Sequence, residues 1–275
     1  MIDLLPADFA FSQSNLQTFS YCRRRFYLRY IRKLIWPDQV VSDQQYAQDR
    51  DAGVRFHRLV HQYFLGFDNA LLCKVAEADP DPRISDWLEA FFISPVSRLE
   101  GKLYPEALYT TIIADHPLNA KVDLLQIEDD AVRIFDWKTS RQLPKIASLQ
   151  RQAQSKVYPL VVSNVFRKLP DGKPVENLTM VYWEANFPDQ GIEINSSLPD
   201  WQKYEVEITT LIDMILSLSA EEFVLTPDQR KCAWCEYRSY CHRREEQSAS
   251  DEFQQELLDD ERKVPEDVID FWGAV

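Results

Sequence analysis

The amino-acid sequence predicts an α/β protein, in which helices flank a central mixed sheet. Apolar residues recur at helical spacing through the N-terminal third of the chain, whereas three consecutive segments between residues 104 and 138 are rich in β-branched and aromatic residues. Helical and strand-like segments alternate after that point, as they do in α/β proteins. With 275 residues, of which 45% are apolar, the chain is long enough for one large core.

Four helices are predicted in the N-terminal part, over residues 14–31, 42–65, 69–75 and 84–92. Ser14 can cap the first of them, and the dipeptide Trp36–Pro37 breaks the chain after it. The second helix carries His57 and His61 one turn apart, beside its apolar stripe. Such a histidine is more often structural than a ligand, and a zinc site built on this pair would lack a third ligand nearby in sequence.

A three-stranded antiparallel meander is predicted next, with strands over residues 106–114, 120–125 and 131–138 and a turn at 128–130. Asp123 lies within the second strand. Asp136 and Lys138 lie two residues apart at the end of the third strand, so their side chains project from the same face. Two carboxylates on strands with a lysine beside them suit Mg²⁺ or Mn²⁺ and a phosphate group. A lone Asp-x-Lys pair would more often form a surface salt bridge.

The C-terminal half alternates between helix and strand. The predicted helices cover residues 148–162 and 201–218, and the predicted strands cover a central segment, 177–184, and an edge segment, 192–194. Gln154 and Tyr158 lie one turn apart on the first of these helices, so they share one of its faces.

Charge is distributed unevenly along the chain. The net charge of −13 argues at first against a nucleic-acid partner. Residues 245–275, however, hold eleven acidic and two basic residues, so we predict one domain over residues 1–244 followed by an acidic tail. The basic residues cluster in one short N-terminal stretch, at Arg23, Arg24, Arg25, Arg29, Arg32 and Lys33. The total charge therefore does not exclude DNA.

The chain contains no apolar stretch long enough for a membrane span, and its N-terminal residues lack the basic region of a signal peptide. We therefore expect a cytoplasmic protein with no membrane partner. Five cysteines in such a chain indicate metal or cluster ligation rather than disulfides. Three of them form the pattern C-x-x-C-x-x-x-x-x-C, at Cys232, Cys235 and Cys241. Cys22 and Cys73 stand apart, and the apolar surroundings of Cys73 are typical of a buried free thiol.

Taken together, these residues resemble the RecB-like branch of the PD-(D/E)XK nuclease superfamily. The likeness rests on five motifs, which are Gly53-x-x-x-His57, Glu106, Asp123, Asp136-Trp137-Lys138 and Gln154-x-x-x-Tyr158. Cys22 and the C-terminal cysteine pattern are similar to those of the iron–sulfur nucleases of this branch, which include the CRISPR spacer-acquisition nucleases and the nuclease domains of recombinational-repair helicase complexes. The resemblance extends from about Leu16 to Cys241, and it implies a restriction-endonuclease-like core.

The resemblance also implies a role for each matching residue. Asp123 and Asp136 would bind Mg²⁺ or Mn²⁺, together with His57 and the backbone carbonyl of Trp137. Lys138 would position or activate the attacking water and would stabilise charge at the scissile phosphate. The residues that would contact DNA or support the site are Gln154, Tyr158 and Glu106.

In the same way, Cys22 would join Cys232, Cys235 and Cys241 to ligate one metal group. Four thiolates can hold either a [4Fe–4S] cluster or a structural Zn²⁺, and the spacing alone does not separate them. Tetrathiolate zinc sites more often contain two C-x-x-C pairs, so with the resemblance we favour the iron–sulfur cluster. The cluster would tie the N-terminal helix to the C-terminal segment. His242 is an alternative fourth ligand in place of Cys22.

The implied function is that of a metal-dependent DNase. It would act on single-stranded or end-exposed DNA, as an exonuclease rather than an endonuclease, in repair, recombination or CRISPR adaptation. The chain has no G-x-x-x-x-G-K-[ST] motif, so a helicase or CRISPR-adaptation partner would be a separate chain. The alternative is a non-catalytic DNA- or protein-binding subunit with the same fold. Such a subunit is expected to have lost Asp123, Asp136 or Lys138, and all three are present.

Overall fold

The structure, a computed structural model, describes residues 4–35, 44–129, 131–167, 172, 174–232 and 235–243. Its strands are β1 (Phe11–Ser12), β2 (Lys102–Ile113), β3 (His116–Glu128), β4 (Ala131–Lys138), β5 (Asn177–Glu184) and β6 (Ile192–Ser197). Its α-helices are α1 (Gln13–Tyr21), α2 (Arg23–Phe26), α3 (Gln44–Phe64), α4 (Asn69–Glu77), α5 (Arg83–Ile93), α6 (Ile146–Leu149), α7 (Gln154–Val165) and α8 (Leu198–Ser217). No helix within these residues combines the length and the apolar character that a bilayer span requires. The predicted break at Trp36–Pro37 and the predicted acidic tail lie outside the described residues.

Within the described ranges, the strands form one six-stranded mixed sheet around the long strand β3. β2 runs antiparallel along one edge of β3. The other edge of β3 pairs antiparallel with β4 and, further along, parallel with β1 at Leu118 and Asn119. β5 lies parallel to β4, and β6 runs antiparallel to β5 at the far edge. The predicted mixed sheet, the β2–β3–β4 meander, the interior position of β5 and the edge position of β6 are therefore confirmed.

Helices cover both faces of the sheet and create two hydrophobic cores. The first core lies between the sheet and helices α1, α7 and α8, and includes Ile134, Tyr158 and Ile212. The second core lies between the opposite face and helices α3, α4 and α5, and includes Phe91 and Trp137. Burial of each large apolar side chain contributes about 1.5–3 kcal/mol, so packing from both sides holds the sheet in place. The predicted α/β class, with helices on the flanks of the sheet, is confirmed.

Strand β3 changes the face that its side chains present at Asp123. Ala120 and Val122 point into the first core, and so does Leu125, whereas Leu124 points into the second core. Because the side chains of a regular strand alternate, this pattern requires a shift of one residue between Val122 and Leu125. Asp123 lies at the shift, where the pairing between β3 and β4 ends.

The helix predicted over residues 14–31 is wrong as a single element. Ser12, rather than Ser14, caps α1. The helix then stops at Cys22, whose extended backbone (φ −157°, ψ 111°) separates α1 from α2. A π-helical turn, Tyr27–Ile31, follows α2. The apolar spacing on which the prediction rests continues across this break, so it cannot reveal the change of direction.

Contacts with the C-terminal segment explain that change of direction. The ring of Phe26 stacks on Phe223, with centroids 6.1 Å apart. The hydroxyl of Tyr237 donates a hydrogen bond to the carbonyl of Leu34 at 2.9 Å. Such long-range contacts override the local preference for one continuous helix. The N- and C-terminal segments of the described chain therefore pack directly against each other.

The helix predicted over residues 148–162 is also divided, into α6 and α7, with residues 150–153 between them. The backbone N–H of Ala153 donates to the side-chain oxygen of Gln17 on α1, at 3.0 Å, which holds this connection in place. As a result, Gln154 is the first residue of α7 instead of an interior one. The remaining predicted helices and strands are present, although β2, β3 and α8 begin earlier than predicted.

Candidate active site

Three charged side chains are almost fully buried near the end of the β3–β4 pairing. Asp136 and Lys138 on β4 are 1% and 3% exposed, and Asp123 on β3 is 6% exposed. Removing a charge from water is unfavourable unless the charge has an opposite partner or good hydrogen bonds. Such burial distinguishes the Asp136–Lys138 pair from a surface salt bridge and is typical of functional residues.

Lys138 is held by two side chains. Its Nζ lies 2.7 Å from Oδ2 of Asp136 and donates to Oε1 of Gln154 at 3.3 Å. The side-chain nitrogen of Gln154 donates in turn to Oδ1 of Asp136. The ring of Tyr182 lies beneath the ammonium, with its centroid 5.8 Å from Nζ. The structure thus brings Asp136, Lys138 and Gln154 into one hydrogen-bonded group.

A second group forms around Asp123. Its Oδ2 accepts a hydrogen bond from the backbone N–H of Trp137 at 2.8 Å, and its Oδ1 lies 3.5 Å from Nδ1 of His57 on α3. The register of β2 and β3 places Glu106 opposite Asp123, with a positive φ of 49°. The carboxylate of Glu106 also pairs with Lys121 at 2.9 Å. An unusual backbone angle thus coincides with the point at which β3 shifts its side chains.

The ligand atoms of His57, Glu106 and Asp123 all lie within 4.8 Å of one another. Nε2 of His57 is buried and has no hydrogen-bond partner among the described residues. A buried polar atom without a partner is unfavourable, and one imidazole with two carboxylates is a donor set that suits Mn²⁺ or Mg²⁺. These three residues therefore fit a divalent cation.

The charges around His57 oppose the effect of its burial. Burial alone would lower the pKa of His57, but the negative charge of Asp123, its hydrogen bond, and the charges of Glu106 and Asp136 raise the pKa above its usual value. The imidazole therefore lies in a strongly negative environment. Such an environment attracts cations, including the proton that competes with a metal ion.

Asp136, a predicted metal ligand, and Tyr158 stay outside this second group. Asp136 turns its two oxygens to Lys138 and Gln154. Tyr158, one turn after Gln154 on α7, is almost fully buried in the first core, where it supports the helix that carries Gln154. His61, the other histidine of the pair on α3, does not belong to the three-residue group that could hold an ion.

The four cysteines assigned to one metal group lie on the N- and C-terminal segments, which pack against each other. Cys22 lies at the break between α1 and α2. Burial raises the pKa of the Cys232, Cys235 and Cys241 thiols, that of Cys241 to about 11, and negative charge on Cys22 would raise all three further. Cys22 is therefore close enough to act on each of the others. His242, the alternative ligand, is exposed.

The positive charges of several arginines lower the pKa of these thiols, which opposes the effect of burial. The arginines whose positive charge lowers the pKa of one or more thiols are Arg24, Arg25, Arg238 and Arg243. Arg25 also pairs with Glu236 at 3.0 Å, which links α2 to the C-terminal segment. Guanidinium groups beside several thiols favour an anionic metal–thiolate centre. The residues therefore fit a group ligated by cysteine.

The sequence of the chain also matches a known protein family. A family model described as the PD-(D/E)XK nuclease superfamily matches residues 10–242, most of the chain. The chain belongs to the PD-(D/E)XK nuclease superfamily. Together with the sheet topology, the match confirms the predicted restriction-endonuclease-like core. No curated protein matches this member of the superfamily significantly by sequence.

Solved structures resemble this PD-(D/E)XK chain as well. A protein from Eubacterium rectale, named as a candidate exonuclease, is 11% identical, and the alignment covers 98% of this chain and 94% of that one with a TM-score of 0.53. The crystal structure of SSO0001 is 14% identical over 84% of this chain and 85% of its own length, with a TM-score of 0.40. At this identity, the likeness to the Eubacterium rectale protein extends to the fold alone.

Sequence reasoning missed one buried acid of this PD-(D/E)XK site. Glu184, at the end of β5, is 0% exposed and accepts hydrogen bonds from the backbone N–H and Oγ of Ser140, at 3.1 and 3.0 Å. The parallel pairing of β4 and β5 puts Glu184 in register with Lys138, so both side chains leave the same face of the sheet. A signal for it exists in the sequence, because β5 ends in a carboxylate after an apolar run, just as β4 ends in Asp136 and Lys138.

Proposed function

We propose that this protein is a divalent-metal-dependent DNA nuclease with Lys138, Asp136 and Asp123 as its catalytic residues. The observation that carries the proposal is the buried lysine, held by a carboxylate on β4, beside three potential metal ligands. Membership of the PD-(D/E)XK nuclease superfamily supports it. A divalent cation, when bound, supplies a water of lowered pKa and neutralises charge on the phosphate, which are the two requirements of phosphodiester hydrolysis.

The ligands of the cation would come from both groups of residues. His57, Glu106 and Asp123 would hold it, with Asp136 and the backbone carbonyl of Trp137 as further ligands. The buried, unpartnered Nε2 of His57 supports this assignment, and so does the number of oxygen donors. Mg²⁺ and Mn²⁺ both prefer such oxygen-rich sites, so either could serve.

Lys138 would act on the water and on the phosphate. Its ammonium now balances the charge of Asp136, and a turn of that carboxylate would free Nζ for the substrate. A free ammonium at this position can orient the attacking water and stabilise the negative charge that develops on the phosphate. Gln154 contacts both Lys138 and Asp136, so it can keep its hydrogen bond to either side chain when the two separate. Tyr158 would keep α7, the helix that carries Gln154, in place.

The substrate would be single-stranded or end-exposed DNA, degraded exonucleolytically during repair, recombination or CRISPR adaptation. The resemblance to the RecB-like branch supports this choice, and the related fold of the Eubacterium rectale protein, named as a candidate exonuclease, agrees with it. The partner chain would be a helicase or a CRISPR-adaptation protein, and the site of action would be the cytoplasm.

A [4Fe–4S] cluster would be ligated by Cys22, Cys232, Cys235 and Cys241. Tetrathiolate zinc sites more often contain two C-x-x-C pairs, whereas this chain has one such pair. The resemblance to the iron–sulfur nucleases of the RecB-like branch also supports the cluster over a single zinc ion. The cluster would reinforce the contacts between the N- and C-terminal segments.

The test uses anaerobically purified protein and end-labelled single- and double-stranded DNA. Cleavage is measured with Mg²⁺, with Mn²⁺ and with EDTA, and Asp136→Asn provides an inactive control of nearly the same shape. The expected result is metal-dependent release of short labelled products by the wild-type protein and none by the variant. Labels at the 5′ or the 3′ end reveal the polarity.

The same experiment distinguishes the alternative. DNA binding without cleavage, by protein that contains its full metal content, would contradict the nuclease and indicate a binding subunit. Cleavage in EDTA, or by Asp136→Asn at the wild-type rate, would contradict the proposed site.

A further inference from the structure

An open pocket of about 760 Å³ lies at the carboxyl end of β4, the strand that carries Asp136 and Lys138. Its walls come from α3, from α5 and from the loops that follow β4 and β5. Its charged lining consists of Arg55, Arg83 and Arg141 together with the carboxylates of Asp51 and Asp81, and Thr139 lines it as well. Thr139 directly follows Lys138, and Arg55 precedes His57 by two residues on α3. The pocket therefore touches the elements that carry both groups of the site.

Two of the arginines in the pocket share one carboxylate. Asp49 on α3 is largely buried, and its Oδ1 contacts Nη1 of Arg83 at 2.5 Å while its Oδ2 contacts Nη2 of Arg141 at 2.7 Å. Arg83 also pairs with Asp81 at 2.6 Å and lies over the ring of Trp87, 5.3 Å from its centroid. Arg83 is thus held from several sides.

Arg141 is the arginine of this pair that can leave with little loss. Its side chain is 59% exposed, and Asp49 would keep Arg83 as a counter-charge after Arg141 moves away. Ion pairs of such exposed groups contribute little net stability. A phosphate, by contrast, can accept two parallel hydrogen bonds from a guanidinium group. An incoming phosphate can therefore compete with Asp49 for Arg141.

The loop that carries Arg141 is fixed relative to Lys138. Ser140 donates two hydrogen bonds to the buried Glu184, and its carbonyl accepts one from the side chain of Asn186 at 2.8 Å. The backbone N–H of Ala185 donates to the carbonyl of Lys138 at 2.8 Å. Because these bonds tie the loop to the end of β5, the backbone of Arg141 stays at a fixed position beside the site.

We propose that this pocket binds the sugar–phosphate backbone of the DNA strand on one side of the scissile phosphate, and that Arg141 moves from Asp49 to a phosphate oxygen when DNA binds. The proposal rests on the proposed function, since it requires a DNA strand at Lys138. It adds a subsite and a phosphate-binding residue to the proposed active site.

The test measures how affinity for DNA depends on salt. Variants are made in the Lys138→Ala background, so that a fluorescently labelled single strand stays intact in Mg²⁺, and Kd is determined by anisotropy between about 50 and 200 mM salt. Arg141→Ala should weaken binding and lower the slope of log Kd against log salt by about 0.7, the value for one phosphate contact with a single strand. Asp49→Asn should keep the slope of the parent, because Arg141 remains free to bind phosphate.

Lys203→Ala is the matched control, since Lys203 is an exposed cation on α8 that does not line the pocket, and its slope should equal that of the parent. Melting temperatures of all variants show whether each is folded. An unchanged slope in Arg141→Ala would overturn the proposal. An equal loss of slope in Arg141→Ala and Asp49→Asn would overturn it as well, because the pair would then act only as a structural clamp.

Cleavage and DNA binding by the protein with Lys138 intact are measured in parallel. If that protein neither cleaves nor binds DNA, the proposed function and the subsite are both contradicted. Cleavage with an unchanged slope in Arg141→Ala would contradict the subsite alone.

Discussion

Lys138 and Asp136 neutralise each other's charge in the protein interior, where water does not stabilise either group. Each is almost fully buried, and their ammonium and carboxylate groups lie 2.7 Å apart. Removing one member of a buried ion pair leaves the other charge uncompensated, which typically costs about 3–5 kcal/mol. A divalent cation bound at Asp136 would replace Lys138 as the counter-charge. The two cations would then compete for one carboxylate, and this competition can be measured.

Lys138→Ala should lower the rate of DNA cleavage by about 10²–10⁴-fold, because the group that orients the water and stabilises the phosphate is lost. Mn²⁺ should bind at least as tightly as it binds the wild-type protein, since Asp136 no longer has a competing ammonium. End-labelled cleavage assays and titration calorimetry test the two parts. Lys145→Ala removes an exposed charge nearby and serves as the control. Cleavage by Lys138→Ala at the wild-type rate, or weaker Mn²⁺ binding, would show that the assigned role is wrong.

Glu106 combines a candidate metal ligand with an unfavourable backbone angle. Its φ of 49° lies in the left-handed region, which costs a residue with a side chain about 1–2 kcal/mol relative to glycine. Glu106→Ala and Glu106→Gly should both weaken Mn²⁺ binding by about tenfold or more, because a carboxylate ligand is lost. The glycine variant should nevertheless be the more stable of the two in EDTA, by about 1 kcal/mol.

Calorimetric titration with Mn²⁺ and chemical denaturation measure these two quantities. Mn²⁺ affinity equal to that of the wild-type protein in both variants would remove Glu106 from the ligand set. Equal stability of the alanine and glycine variants would show that the backbone at this position is not strained.

At the scale of single elements, the spacing of apolar residues correctly predicted the helices and strands that depend on local sequence. The apolar runs of β4 and β5 and the stripe on α3 identified these elements, and Asp136 and Lys138 could be placed on one face because strand periodicity is fixed. The breaks at Cys22 and at residues 150–153 could not be predicted, because contacts with residues far away in sequence decide them. Apolar spacing is the same on both sides of such a break.

The same reasoning explains the outcome at the site. Asp123, Lys138 and Gln154 belong to motifs that are visible in the sequence, and the structure brings them close to one another. Glu184 belongs to no such motif. Its place beside Lys138 follows from the parallel register of β4 and β5, which two separate strand predictions cannot supply. Sequence patterns therefore identify single functional residues more readily than their supporting partners.

The start of α5 depends on an ion pair that should respond to pH. Asp81 accepts hydrogen bonds from the side chain and the backbone N–H of Arg83, and these bonds lower the pKa of Asp81 although burial opposes the shift. A lowered folded-state pKa stabilises the fold at pH values above the unfolded-state pKa, which is about 3.9, and this contribution is lost as the pH falls through the folded-state pKa. The pair should therefore stabilise the protein at neutral pH and not in acid.

Asp81→Asn should lower the free energy of unfolding by about 1 kcal/mol at pH 7. Its difference from the wild-type protein should shrink as the pH falls below about 4. Urea denaturation at a series of pH values measures the effect, and Glu89→Gln, at an exposed position on the same helix, provides the comparison. A difference that stays constant down to the acid limit would rule out titration of Asp81 as its cause.

At the scale of the whole molecule, the N-terminal helices pack against the C-terminal segment of the described chain. The two cores hold the sheet, while α1, α2 and the following turn pack against the C-terminal segment through Phe26, Phe223, Arg25 and Glu236. The four cysteines of the proposed cluster lie on these two segments. A metal group there would add a cross-link to contacts that already exist. It would raise stability mainly by restricting the unfolded chain.

Cys235→Ala should therefore remove most of the bound iron and lower the free energy of unfolding by an amount on the order of 2–5 kcal/mol, the usual range for a lost cross-link. Iron and sulfide analysis, visible absorbance and thermal melting of anaerobic samples measure these effects. Cys73→Ser, a half-buried cysteine on α4, should leave all three unchanged. Wild-type melting of an iron-free Cys235→Ala protein would contradict the cross-link, and zinc in place of iron would contradict the cluster type alone.

The two stacked rings of Phe26 and Phe223 are synthesised at different times, because almost 200 residues separate them in the chain. A ribosome adds about 5–20 residues per second, so roughly 10–40 s separate the appearance of the two rings. The aromatic surface of the N-terminal segment lacks its cover throughout that interval, as the rings of Phe19 and Tyr27 also contact Phe223. We therefore expect the yield of folded protein to rise when chaperones cover this segment of the nascent chain until Phe223 has been synthesised.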